Sequence, residues 1–308
     1  MFKIICLICF TTVTICAQNS TVNWLNKNAH PLSAGLSSDS LKDIQFLTGL
    51  LGSKSIIGLG EASHGTREFY HQKGRIVKYL VQELNYRMLA FEATSEKVAL
   101  LNKYIQEGSG DLKTILKAMG LYNSREMYHL CIWLMHFNKT RQDKVELTGI
   151  DREEFWADPL TRDQSMAETF IEKHEERKSK AIIWSHNLHI AKDSIMSGYK
   201  AMGYHMNQKF GTSYYAIGFD TYKGSVHVLN NGGELEKHYF EGIEGTFSDL
   251  FSKSRYTMFF IDCTTPGNPL TGKVNKITNL YSNWQPPIPL PVKPGADFDA
   301  LIFIRGRK

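Results

Sequence analysis

The sequence predicts a three-layer α/β/α domain built on a mostly parallel sheet, and two observations predict it. Five short apolar runs, rich in β-branched and aromatic residues, each end abruptly in an acid or a histidine. The segments between them carry apolar residues at helical spacing. Strands that are apolar throughout, alternating with amphipathic helices, are the pattern of a parallel sheet covered on both faces. With 308 residues, 42% hydrophobic and 22% charged, the chain can bury one large core, and one domain accounts for it better than two.

Residues 1–17 read differently from the rest. Met1-Phe2-Lys3 gives a positive start, Ile4 to Ile15 is apolar apart from threonines, and Cys16-Ala17 offers a small-residue cleavage site. The expectation is a signal peptide over 1–17 and a single domain over 18–308, exported to the periplasm or outside the cell. The apolar run is too short to span a bilayer well, and no other stretch is long enough. With Cys6, Cys9 and Cys16 set aside, Cys131 and Cys263 remain. Both sit in apolar runs and are expected in the core rather than in a disulfide framework, with a single bridge between them as the alternative.

The elements follow in order. A mostly polar stretch, Asn19 to Ser40, precedes a helix over Leu41 to Leu51. The run Ile56 to Gly60 ends at Glu61. After it, Phe69, Ile76, Val77, Leu80, Val81 and Leu84 share one face of a helix from about Thr66 to Asn85. The run Met88 to Phe91 ends at Glu92. Two further helices are marked by Leu100, Leu101, Tyr104 and Ile105, and by Leu130, Trp133, Leu134 and Phe137. Val145 to Ile150 ends at Asp151, and a helix begun near Arg162 runs on through Met166 to His174. Ala181 to Ser185 ends at His186, and Tyr214 to Phe219 ends at Asp220. Ser225 to Leu229, Thr257 to Cys263 and Ala300 to Ile304 read as further strands. The five prolines between Gln285 and Gly295 predict an extended surface loop.

Sheets of this kind bind ligands outside the carboxyl ends of their strands, so the five polar endings are expected to gather there. A strand end is also often polar simply because the chain is leaving the core. The net charge of +5 is spread thinly, which argues against a nucleic-acid partner, since that needs a concentrated basic patch.

Gly58-Leu59-Gly60-Glu61-Ala62-Ser63-His64-Gly65 is the most informative segment. Glycines at a strand-to-helix turn allow close backbone approach. A histidine three residues past a glutamate can share a proton or a water with it, and imidazole suits base chemistry near neutrality. The plain alternative is that His64 serves only a local hydrogen bond. In Trp184-Ser185-His186-Asn187-Leu188-His189, two histidines three apart could act as acid and base, or as metal ligands with Glu61, Glu92 or Asp151. Ser63 and Ser185 lack the Gly-x-Ser-x-Gly elbow of a serine hydrolase. GLGEAS is not a dinucleotide fingerprint either, because Ser63 stands where a third glycine is required.

The stretch GLGEASHGTREFYHQKGRIVKYLVQELNYRMLAFE resembles the opening block of the erythromycin esterase family, and IIWSHNLHI resembles its second histidine block. YYAIGFDTYKG, LTGIDREE and TRDQSMAETF are similar to its other signatures, so the likeness runs from about Leu41 to the C-terminus. It implies that fold and an ester hydrolase, a macrolide macrolactone being one candidate substrate, using His/Glu-activated water without cofactor or metal. By motif match Glu61, His64, Glu92, His186 and His189 carry the chemistry. His64 is expected as base, Glu61 orients it, and Glu92 fixes the charge. His186 polarises the carbonyl or protonates the leaving alcohol, with His189 assisting. Lys73 or Arg75 stands where the family often has an arginine, and with Asp151 they are expected to bind the small-molecule substrate. The chain departs from the family in having only residues 152–160 between Asp151 and the TRDQSMAETF block, where a long helical insertion is usual. The wider fold group also includes haem-binding and metalloprotease-like members, which leaves a haem or metal binder and a metal-dependent hydrolase as alternatives.

Overall fold

The computed structural model describes residues 19–33, 35 and 40–306. The expected leader, residues 1–17, lies outside the described residues. The chain runs through α1 (residues 19–28), β1 (His30–Pro31), α2 (Leu47–Leu51), β2 (Ile56–Leu59), α3 (Arg67–Glu83), β3 (Tyr86–Thr94), α4 (Ser95–Glu107) and α5 (Leu112–Ala118). It continues with α6 (Arg125–Lys139), β4 (Glu146–Asp151), α7 (Pro159–Arg177), β5 (Lys180–Trp184), α8 (Asn187–Ile190) and α9 (Met202–Phe210). Then come β6 (Tyr214–Thr221), β7 (Lys223–Leu229), β8 (Leu235–Glu241), α10 (Phe247–Ser252), β9 (Met258–Asp262), β10 (Asn275–Ile277), β11 (Leu290–Val292) and β12 (Ala300–Ile304).

Eight strands form the main sheet in the order β1-β9-β12-β6-β2-β5-β3-β4. From β12 to β4 every pairing is parallel; only β9 and β1 at the far edge are antiparallel. Successive side chains of a strand point to opposite faces, and here both faces are covered. Ile57 and Leu59 of β2, Leu89 and Phe91 of β3, and Ile182 and Trp184 of β5 pack in one core layer with α3, α4 and α6. Their neighbours Ile56, Met88, Ala90, Ala181 and Ile183 pack in the other, with α1, α7, α9 and α10. That is why these runs are apolar throughout instead of alternating. Cys131 and Cys263 are buried and free, one in each layer. No helix among the described residues is long and apolar enough to cross a membrane.

Several sequence expectations are corrected in detail. The stretch Asn19 to Ser40 holds α1, whose Leu25 is wholly buried, and the edge strand β1. The helix expected over Leu41 to Leu51 is a single 3₁₀ turn at Lys42–Ile44 followed by the short α2. α3 ends at Glu83, and Asn85 takes a left-handed φ of 61° that asparagine tolerates. The strand expected at Ser225 to Leu229 leaves the main sheet and pairs antiparallel with β8. The proline-rich loop contains β11, which pairs with β10.

The β7–β8 hairpin is fastened to the turn that follows β2. His227 donates its backbone N–H to Gly65 O at 3.1 Å, Leu280 donates to Ala62 O at 2.8 Å, and Leu229 donates to Ser282 O at 2.8 Å. A Cβ on Gly65 would lie 1.6 Å from the backbone oxygen of His227, so only glycine allows this approach. Gly65→Ala should therefore lower the unfolding free energy by at least the ~1–3 kcal/mol typical of overpacking, read as a lower urea midpoint. An unchanged midpoint would show that the hairpin does not bear on the turn.

Candidate active site

β2, β3 and β5 are parallel neighbours, so their carboxyl ends lie side by side and deliver Glu61, Glu92 and His186 to one place. His64 follows Glu61 by one tight turn and enters the same space ahead of α3, and His189 arrives on the single turn of α8. No side chain of the cluster is more than 11% exposed.

Glu61 is fully buried. Its Oε1 lies 2.7 Å from His64 Nδ1. Its Oε2 accepts from Lys73 Nζ at 2.6 Å and from Trp184 Nε1 at 3.1 Å. Lys73 belongs to the apolar face of α3, four residues past Phe69 and three before Ile76, which forces it inside. There it also reaches Ser185 O at 3.4 Å and lies 4.3 Å from the centre of the Trp184 ring. Burial lowers its pKa to about 8 against the pull of Glu61.

Glu92 is the meeting point of the cluster. Its Oε2 accepts from Ser185 Oγ at 2.7 Å and from the His186 backbone N–H at 2.8 Å. Its Oε1 lies 3.0 Å from an Arg162 nitrogen, 3.2 Å from His189 Nε2 and 3.9 Å from His64 Nε2. Burial opposes its charge, but His189, His64 and Arg162 outweigh burial and hold its pKa well below the usual carboxylate range. His64 experiences the converse: burial lowers it, while Glu92 and Glu61 raise it, with a net rise above the ordinary value.

His186 is different. It is the N-cap of α8, and its Nδ1 accepts the Leu188 backbone N–H at 3.3 Å. A neutral imidazole that accepts at Nδ1 carries its proton on Nε2, and that Nε2 is buried. Burial, with His64 as a neighbouring like charge, lowers its pKa to about 3. His186 is thus a neutral N–H donor whose Nε2 makes no hydrogen bond of good geometry, although the Ala62 backbone acts on the ring as an acceptor, and its ring centre is 5.2 Å from that of His64.

The three side chains expected to bind substrate each have partners of their own in the fold. Lys73 lies beneath Glu61 and not in the open. Arg75 turns away to Asp43, Gln72 and Ser40 O, and borders a separate groove of about 920 Å³ between α3 and α6. Asp151 spends both oxygens on Arg162, the Trp156 indole and the Arg152 backbone N–H. Asp220 also stands apart. It alternates with Phe219 on β6, so it faces α10, where it bonds Ser248 and the Thr278 backbone N–H. Burial raises its pKa to about 7. Ser63 is buried against Thr66 Oγ1 at 2.5 Å, so both serines are engaged in hydrogen bonds.

Residues to which the sequence reading gave no part in the site also reach the cluster. Arg162 ties Glu92 to Asp151, and Asp163 receives His189 Nδ1 at 2.7 Å. The signal was present, because Asp163 shares a helical face with Met166, Ala167 and Phe170, where an acid is out of place. Among the described residues no three His, Cys, Asp or Glu side chains are disposed to hold a metal ion.

Known proteins share this arrangement of elements. A Bacillus cereus protein of solved structure superposes with a TM-score of 0.83 at 23% identity, over 94% of this chain and 97% of that one. A mutant of the erythromycin esterase EreC in its open conformation gives 0.69 at 14%, over 90% and 97%. These likenesses are of fold. Erythromycin esterase type II of Escherichia coli is 25% identical over 130 residues, which are 42% of this chain and 30% of that protein. The matched stretch is thus well under half of that relative's length. The erythromycin esterase family model matches residues 81–159 and 154–306, two segments that meet at the short link before α7. The chain belongs to the erythromycin esterase family.

Proposed function

We propose that the chain hydrolyses an ester, a macrolactone being one candidate, with a water molecule activated by His64. The single observation that supports this best is the disposition of the His64 ring. Nδ1 is held at 2.7 Å by Glu61, while Nε2 stands 3.9 Å from Glu92, close without a direct hydrogen bond. A water within reach of both atoms would be oriented by Glu92 and would give its proton to Nε2. The resulting hydroxide attacks the ester carbonyl carbon. The Nε2–H of His186, which makes no hydrogen bond of good geometry, suits the negative charge that develops on the carbonyl oxygen, which is the use such a donor has in a water-poor site. Collapse of the tetrahedral intermediate breaks the bond to the alcohol, whose oxygen takes the proton back from His64. Water is consumed, and a carboxylic acid and an alcohol are released.

With its low pKa, His186 serves as a hydrogen-bond donor and not as the acid for the leaving group. The short link before α7 leaves the substrate side without the family's usual helical cover, so the acyl part need not be a large macrolide. A macrolide panel and simple aryl esters, followed by mass spectrometry, separate these substrates.

His64→Ala should lower turnover about 10²–10⁴-fold with the fold intact, as expected for a lost general base. Near-wild-type turnover would end the assignment. Ser63→Ala should change little, and a comparable loss there would revive a serine nucleophile.

The pH profile carries a sign. A base must be neutral, and the carboxylates raise the His64 pKa above its ordinary 6.5. kcat/KM should therefore climb with pH along an acid limb whose midpoint lies above 6.5. A midpoint below that value would contradict the geometry.

Exhaustive chelation should leave the rate unchanged, because His64 and the carboxylates supply the activation that zinc would otherwise provide. Activity lost on chelation and restored by one equivalent of zinc would recast the same residues as ligands.

A further inference from the structure

His189 has a carboxylate oxygen at each ring nitrogen: Asp163 Oδ1 at 2.7 Å from Nδ1 and Glu92 Oε1 at 3.2 Å from Nε2. A neutral imidazole has one N–H and one lone pair. In this position its lone pair would face a carboxylate, whichever tautomer it chose. Two acceptors require two donors, so the ring in this setting is an imidazolium. Asp163 is itself fully buried and completely bonded. Oδ1 also accepts the Met202 backbone N–H at 2.8 Å, and Oδ2 accepts the Tyr199 hydroxyl at 2.9 Å. Its neighbour Arg162 points to Glu92 and Asp151 instead. The first turns of α7 thus deliver one cation and one anion to opposite sides of the same site.

We propose that Asp163 is a positioning residue of the active site, which fixes His189 as a permanent cation beside Glu92 and removes it from proton transfer. The argument rests on the cluster being the reaction centre, but the state of His189 can be read without any substrate. The charged and titratable groups around His189 are Glu92 on β3, Asp163 and Arg162 on α7, His186 ahead of α8, His64 ahead of α3 and Tyr199 ahead of α9. The carboxylates prevail over burial and the like charges, and the pKa of His189 is raised to about 10.

With the ring fixed as a cation, two groups of the cluster have settled charge at neutral pH, His189 positive and Glu92 negative. His64 alone among its histidines is left to exchange a proton in the reaction. His189 then acts through Glu92. It keeps that carboxylate ionised and turned so that Oε1 faces His64, and it cannot relay a proton to His186.

The test is nuclear magnetic resonance of the full chain labelled with ¹⁵N-histidine, with His189→Gln used to assign the His189 signals. In the wild type both ring nitrogens of His189 should show protonated shifts that stay flat from pH 5 to about 9, given an opposite charge on each side. In Asp163→Asn the His189 signals should titrate at a midpoint lower by about two pH units. Tyr199→Phe removes one bond to Asp163 but no charge, and should leave His189 protonated at neutral pH. A wild-type His189 that titrates near 6.5, or that shows one protonated nitrogen at pH 7, overturns the proposal even if Asp163→Asn does not fold. An Asp163→Asn protein that folds and leaves the His189 midpoint unmoved also overturns it. Because no ester is present, loss of the esterase reading would not alter either result.

Discussion

The site depends on keeping one carboxylate ionised where water is nearly excluded. Glu92 is 5% exposed, and an unpaired charge in such a place costs several kcal/mol. It remains charged because two neutral donors, Ser185 Oγ and the His186 N–H, hold one oxygen, while Arg162 and His189 hold the other. Those partners come from the end of β5, from α8 and from α7. The sheet order and the placement of α7 are therefore conditions for the charge, and the charge in turn sets the behaviour of His64.

A second buried pair supports the first. Lys73 and Glu61 neutralise each other within the layer between α3 and the sheet, with the Trp184 ring beside the ammonium. Removing either would leave an uncompensated charge inside a core layer, which is far more damaging than losing a surface ion pair. The pair also orients His64, since Glu61 offers one oxygen to the lysine and the other to the imidazole. The result is an imidazole fixed at one nitrogen and open at the other, the arrangement a base needs.

The three histidines illustrate how environment separates chemically identical side chains. His64 is flanked by carboxylates but keeps one nitrogen out of direct hydrogen-bond range. His186 caps a helix turn and is left neutral by burial among positive neighbours. His189 is clamped between two acids. Distances of a few ångströms decide the three outcomes.

The apolar runs, the helical periods and the acid or histidine at each strand end were legible in the sequence, because a parallel sheet covered on both faces demands continuous apolar strands. Glu61, His64, Glu92, His186 and His189 were legible for the same reason: they lie at or just beyond the carboxyl ends of neighbouring strands. Tertiary structure alone decided the rest. Asp220 stands near the end of its strand like the others, yet the pleat turns it toward α10, and no local pattern states which face of the sheet will carry the site. Lys73 and Arg75 are two residues apart on one helix, and only packing shows that the first lies under Glu61 while the second leaves for Asp43. Asp163 and Arg162 come from a helix far along the chain, and their importance rests on contacts made after folding. Sequence pattern fixes period and burial, which are local properties of the chain. The charge of each buried group is set by neighbours that are distant in sequence, and the fold alone supplies them.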